Sequence, residues 1–178
     1  MKIQELLDLA GEIGFSHAGE LNTAALNFRT EVRDMCAAGR CQTYGKRWTC
    51  PPYCGTLEEI AAQAAKYPHG ILLQSTGELE DDFDAECIMG TSKLQQQRFA
   101  KFAERVRKTD PNCLAMSSGG CSLCKQCTCP DAPCRFPEKA IPSMEAYGLI
   151  VGDVCRDSGL PYYYGPKTIT YTSCLLFN

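Results

Sequence analysis

The chain has 178 residues, 44% hydrophobic and 22% charged, enough apolar material for an ordinary globular core. Its net charge of −3 and the lack of a basic block argue against nucleic-acid binding, and no apolar run approaches the ~20 residues that span a bilayer. The length suits one domain over 1–178.

In chain order, residues 2–13 read as an amphipathic helix with Ile3, Leu6, Leu7 and Ala10 on one face and Gly11 and Gly14 at its end. Phe15 to Leu21 is a predicted strand and Thr23 to Met35 a second helix, before a cysteine-rich loop over 36–55. Thr56 with Glu59 three residues on forms a capping box that opens a helix ending before Pro68. Ile71 to Gln74 has the look of a short buried strand. Ser92 to Lys108 is a longer helix with Phe99, Phe102, Ala103 and Val106 as its apolar stripe, stopped by Asp110-Pro111. Cys113 to Met116 is another strand candidate, and a second cysteine-rich loop follows. Ser143 begins a helical stretch through Val154 that Gly159 caps, and the β-branched and aromatic run Thr168 to Leu176 closes the chain as a strand. The expected fold is α+β (or α/β): a single compact domain, a small sheet with flanking helices, and two cysteine-rich metal-binding loops.

Thiols carry the functional signal. Thirteen cysteines is an odd number that cannot all pair internally, and Met1 to Ala10 lacks the apolar core of a secretion signal. A cytoplasmic, reducing location is therefore expected, where cysteine clusters point to metal or catalysis. Cys121, Cys124 and Cys127 are spaced C-x2-C-x2-C, the step with which ferredoxin-type loops hold three corners of a [4Fe–4S] cube. Gly119-Gly120 just upstream frees the backbone to approach a bulky cofactor. The fourth ligand is Cys134 or Cys129. Cys129 is too near Cys127 to reach a separate corner easily, so Cys134 is favoured, beyond six residues of which two are proline, with Arg135 able to stabilise a reduced cluster. Structural zinc also uses C-x2-C pairs, but in two separated knuckles.

Cys36, Cys41, Cys50 and Cys54 form the other concentration, a candidate second metal site whose spacing does not specify the metal. Tyr44, Lys46 and Arg47 stand beside it as anion or proton partners, and Trp48 reads as core packing. Cys87, Cys113, Cys155 and Cys174 occur singly and read as buried packing residues. His17 and His69, the only histidines, read as structural, as do Tyr162 to Tyr164. No Walker loop, dinucleotide fingerprint or nucleophile elbow is present.

Cys36…Cys41-x2-Tyr44-Gly45-Lys46-x-Trp48-x-Cys50-Pro51-Pro52, the Cys121 to Pro137 motif, Ser143 to Gly148 and Tyr164 to Tyr171 together resemble a microbial family of cysteine-rich proteins. Its members are described as predicted metal-binding proteins with a domain of unknown function. The likeness runs over nearly the whole chain. It implies that both loops are functional, that Cys134 belongs to the motif more than Cys129 does, and, from the family's association with anaerobes, an oxygen-sensitive cofactor. The resulting expectation is a cytoplasmic protein with one or two [4Fe–4S] clusters acting in electron transfer or redox chemistry, with a redox partner protein or a small-molecule substrate. Two alternatives stand beside it: an enzyme using an open-coordination cluster as a Lewis acid, and a zinc-stapled structural or interaction module.

Overall fold

A computed structural model describes all 178 residues, the side chain of Arg40 excepted. Four strands, β1 (His17–Glu20), β2 (His69–Glu78), β3 (Leu114–Met116) and β4 (Thr168–Phe177), form one sheet in the order β1-β2-β4-β3. Every pairing is antiparallel, so of the two expected classes the fold is α+β. The helices are α1 (Ile3–Ile13), α2 (Thr30–Met35), α3 (Leu57–Ala64), α4 (Ala85–Arg107) and α5 (Val151–Asp157).

Both faces of the sheet are covered, which explains the unbroken apolar runs in β2 and β4. Ile71 and Leu73 of β2, with Leu175 and Phe177 of β4, face Leu6 and Ala10 of α1 and Phe99, Phe102 and Val106 of α4. Leu72, Cys174 and Leu176 alternate to the other face and pack on Ile60 and Ala64 of α3, Val154 of α5, and Met144, Tyr147 and Leu149. The register sets Leu72 opposite Cys174 and Ile71 opposite Leu175, so each pair contributes to a single layer. Gln74 is the polar member of this run. It is fully buried, and its amide donates to Thr172 Oγ1 and the Pro161 carbonyl while its oxygen accepts from Tyr164.

The capping box at Thr56 forms as expected: Glu59 N–H donates to Thr56 Oγ1 at 3.2 Å and Thr56 N–H to Glu59 Oε2 at 2.8 Å. Elsewhere tertiary contacts override local pattern. The expected helix over Thr23 to Met35 divides into a 3₁₀ turn at Thr23–Ala25 and α2. Leu26 and Phe28 pack against the second core cluster, and the Arg29 N–H is held by the Gly148 carbonyl at 2.8 Å. The helix expected from Ser143 begins only at Val151. Met144 N–H instead bonds the Ser117 carbonyl and Ser117 N–H the Pro142 carbonyl, so the chain here extends the sheet edge before turning. α4 starts at Ala85, seven residues before the expected start at Ser92, because Asp84 accepts the Cys87 N–H as an N-cap.

Gly11 lies on the exposed side of α1, with nothing within 4 Å of an added Cβ. Gly11→Ala is therefore expected to raise stability by about 0.5–1 kcal/mol, read as a higher urea midpoint.

Candidate metal centre

The two cysteine loops meet in the fold. The first runs from α2 through the π turn Cys36–Arg40 to the Thr56 cap of α3, and the second from β3 to Pro142. Trp48 Nε1 of the first loop donates to the Ala132 carbonyl of the second at 3.0 Å, and the Arg47 guanidinium donates to the Cys121 carbonyl. A Cβ at Gly120 would stand 3.0 Å from Arg47 Nη1, so a side chain there would disturb this contact.

Cys121, Cys124, Cys127 and Cys134 all line one recess. Arg47, Trp48 and Thr49 of the first loop form part of its wall, and Lys125, Arg135 and Phe136 complete it. Cys129 is buried at 9% exposure and does not line the recess. Burial pushes the Cys121 thiol up, against the Leu123 N–H and the Arg47 charge that favour its thiolate. At Cys127 burial acts in the same upward sense but is outweighed. The N–H groups of Cys129, Trp48 and Thr128, with Arg47, hold that thiol below its ordinary value. Thr49 is 5% exposed, and its Oγ1 is buried with no hydrogen-bond partner among the described residues.

The second thiol set is also drawn together. The hydroxyl of Thr43 lies 3.1 Å from Cys41 Sγ and 3.3 Å from Cys50 Sγ, bridging the two. Cys41 is held below its ordinary value, first by that hydroxyl and then by the Thr43 and Tyr44 N–H groups, although burial opposes. Cys36 is pushed up by burial and then by the neighbouring Cys41, Cys50 and Glu145. Cys54 donates to the Ala146 carbonyl at 3.6 Å and accepts from Arg33 Nη2 at 3.4 Å, with burial raising it and Arg33 opposing. Burial likewise pushes the adjacent Tyr147 phenol up to about 12. Cys129 stands between the two sets: burial raises it first, then the charges of Cys127 and Cys50.

Sequence reasoning set Arg47 beside the first thiol set, whereas its guanidinium reaches the second loop. It also missed Thr43, Thr49 and Arg33. Arg33 is one helical turn before Cys36, which was the only local hint. Cys113 and Cys174 are buried in the two core clusters, whereas the buried Cys155 accepts from the Gln74 amide at 3.6 Å and the half-buried Cys87 donates to the Glu78 carbonyl at 3.2 Å. His17 stacks on Tyr164 at 3.9 Å between ring centroids, and His69 packs against Phe177. Among the described residues no three His, Cys, Asp or Glu side chains already surround one metal-sized point; the thiols of Cys121, Cys124, Cys127 and Cys134 line one shared recess. No described helix is long and apolar enough to cross a membrane.

The donor chemistry of the recess fits an iron–sulfur group. It offers four soft thiols, N–H groups aimed at sulfur, cationic side chains to offset negative charge, and one buried hydroxyl free to bond a sulfide. Comparison with curated proteins and with solved structures returned no match. One family model does match, over residues 19–177, and its description is a predicted metal-binding protein. The thiol-lined recess and that match lead to one conclusion, that the chain belongs to the DUF2284 family of predicted metal-binding proteins.

Proposed function

We propose that this is a cytoplasmic iron–sulfur redox protein that holds a [4Fe–4S] cluster through Cys121, Cys124, Cys127 and Cys134 and passes single electrons to a redox partner. The Cys36, Cys41, Cys50 and Cys54 set is a second metal site. The observation that carries the reading is the shared recess, which gathers those four thiols and leaves Cys129 outside. A bound cube supplies reversible one-electron chemistry.

The chain's own groups would govern how that chemistry runs. Arg47, Lys125 and Arg135 offset the charge of four thiolates and favour the more negative, reduced state. N–H donors to Cys121 and Cys127 act in the same direction. Trp48, Leu123 and Phe136 limit water at the wall, and the half-exposed Leu123 and Phe136 leave an apolar edge for a partner to approach.

The three cations around the recess also favour a second reading, an enzyme in which a cluster iron lacking a cysteine ligand polarises a small anionic substrate. Four-thiolate ligation in the recess counts against it there. Anaerobically purified protein is expected to contain iron and acid-labile sulfide and to bleach in the visible on reduction. Stoichiometric zinc without iron, in protein never exposed to oxygen, overturns the proposal in favour of a zinc-stapled module.

A further inference from the structure

Charge is segregated along α4. The segment Glu78 to Glu86 that leads into it carries six carboxylates and no cation, whereas its later turns bring Lys93, Arg98, Lys101, Arg105 and Arg107 against Glu104 alone. That polarity complements the helix dipole. The dipole, however, calls for neither of the two apolar features that accompany it.

The first is Phe83, within the acidic segment. It is 90% exposed, the most of any large hydrophobic side chain among the described residues. The turn that carries it is ordered: Phe83 N–H donates to Asp81 Oδ1 at 2.8 Å, and Glu80 N–H to Asp84 Oδ2 at 3.1 Å. The ring is therefore held out in water by a fixed tip. The second feature is a groove between α4 and the second cysteine loop. Met89, Ala100 and Leu123 line one half of it and Ala100, Leu123 and Ile141 the other, with Lys93, Lys101 and Lys139 also in its wall. Among the described residues no ion pair includes a carboxylate of the tip or any of these lysines, although Arg29, Arg105 and Arg156 elsewhere are all paired.

The tip does not serve its own groove. Lys101 lies about 24 Å beyond Ala85 along the helix axis, and Phe83 is turned to solvent. A second copy can serve it. With the α4 helices of two copies antiparallel, each acidic tip comes to the basic end of the other helix, and both tips dock at once. Such a contact is isologous and closes on a dimer.

We propose that the chain self-associates as a two-fold dimer through antiparallel α4 helices, with Phe83 of each copy seated on Ala100, Leu123 and Ile141 of the other and the acidic tip facing Lys101 and Lys139. The pairing uses no metal. Leu123 also lines the thiol recess, so docking covers that part of its wall, while Phe136 lies outside the groove and stays open to a redox partner.

The test follows full-length protein, purified anaerobically and kept in reductant so that no disulfide links copies, by sedimentation velocity over a concentration series at low and high salt. The wild type is expected to pass from monomer to dimer as concentration rises, and to associate less at high salt. Phe83→Asp should weaken association at least about tenfold. Two charge-reversed variants locate the contact: a tip variant, Asp82→Lys with Glu86→Lys, and a groove variant, Lys101→Glu with Lys139→Glu. All four positions are exposed, so both variants should fold, as circular dichroism checks. Each alone is expected to be monomeric, because its tip and groove then carry like charge. Mixed in equal amounts they should form a dimer of one copy of each, since both tip–groove contacts again join opposite charges. A wild type that stays monomeric at its highest soluble concentration overturns the proposal and leaves the groove to another occupant. A dimer that these variants do not weaken places the interface elsewhere and overturns it equally, as does a mixture that remains monomeric.

Discussion

Cys134→Ser is expected to abolish the cluster proposed for the recess, while Cys129→Ser leaves it in place. Iron and sulfide content with electron paramagnetic resonance of the reduced, anaerobically prepared protein separates the two. The physical reason is position. Cys134 shares the recess with Cys121, Cys124 and Cys127, so removing its sulfur leaves one iron of a cube without a soft ligand. A serine hydroxyl is a poor substitute, being hard and far less acidic than a thiol. Cys129 is only two residues from Cys127 but is buried outside the recess, with its thiol raised by burial and by the neighbouring Cys127 and Cys50. Loss of the cluster in Cys129→Ser with retention in Cys134→Ser would reverse the ligand assignment.

This pair of residues also shows what local spacing can reveal. Cys121, Cys124 and Cys127 are close in sequence, so a single loop conformation settles where they face. The surroundings of the recess depend on contacts made across the fold. Arg47 reaches a carbonyl 74 positions away, and Trp48 anchors to Ala132 through its ring nitrogen rather than packing in either core cluster. Nothing in the first loop's composition encodes which neighbour its cation meets. The same distinction applies to the elements. α3 and β4 were legible because a capping box and a β-branched run are local signals. The split of the expected Thr23 to Met35 helix was not, since the Gly148 carbonyl that captures Arg29 lies far along the chain.

Gly148→Ala is expected to be among the most damaging small substitutions in the chain. Gly148 has φ +81°, where an alanine costs about 1–2 kcal/mol on backbone grounds alone. Its Cβ would also stand 2.8 Å from the Arg29 carbonyl oxygen, 2.9 Å from Leu57 Cδ2 and 3.0 Å from the Arg29 nitrogen. Two of these neighbours are backbone, which cannot swing aside as a flexible side chain does. The loss should reach at least about 2 kcal/mol, read as a lowered urea midpoint against the gain expected for Gly11→Ala. The effect should extend to metal as well. The Gly148 carbonyl ties the turn to Arg29 at the start of α2, and two residues earlier Ala146 holds both Arg33 and Cys54. Shifting the turn therefore acts first on Arg33 and Cys54, which it holds directly, whereas Arg47 and Trp48 further inside the same loop are anchored to Cys121 and Ala132 of the second loop. Folded Gly148→Ala protein should lose metal from the amino-proximal set before it loses iron from the recess. Simultaneous loss of both would mean that the two thiol sets depend on one common scaffold rather than on separate ones.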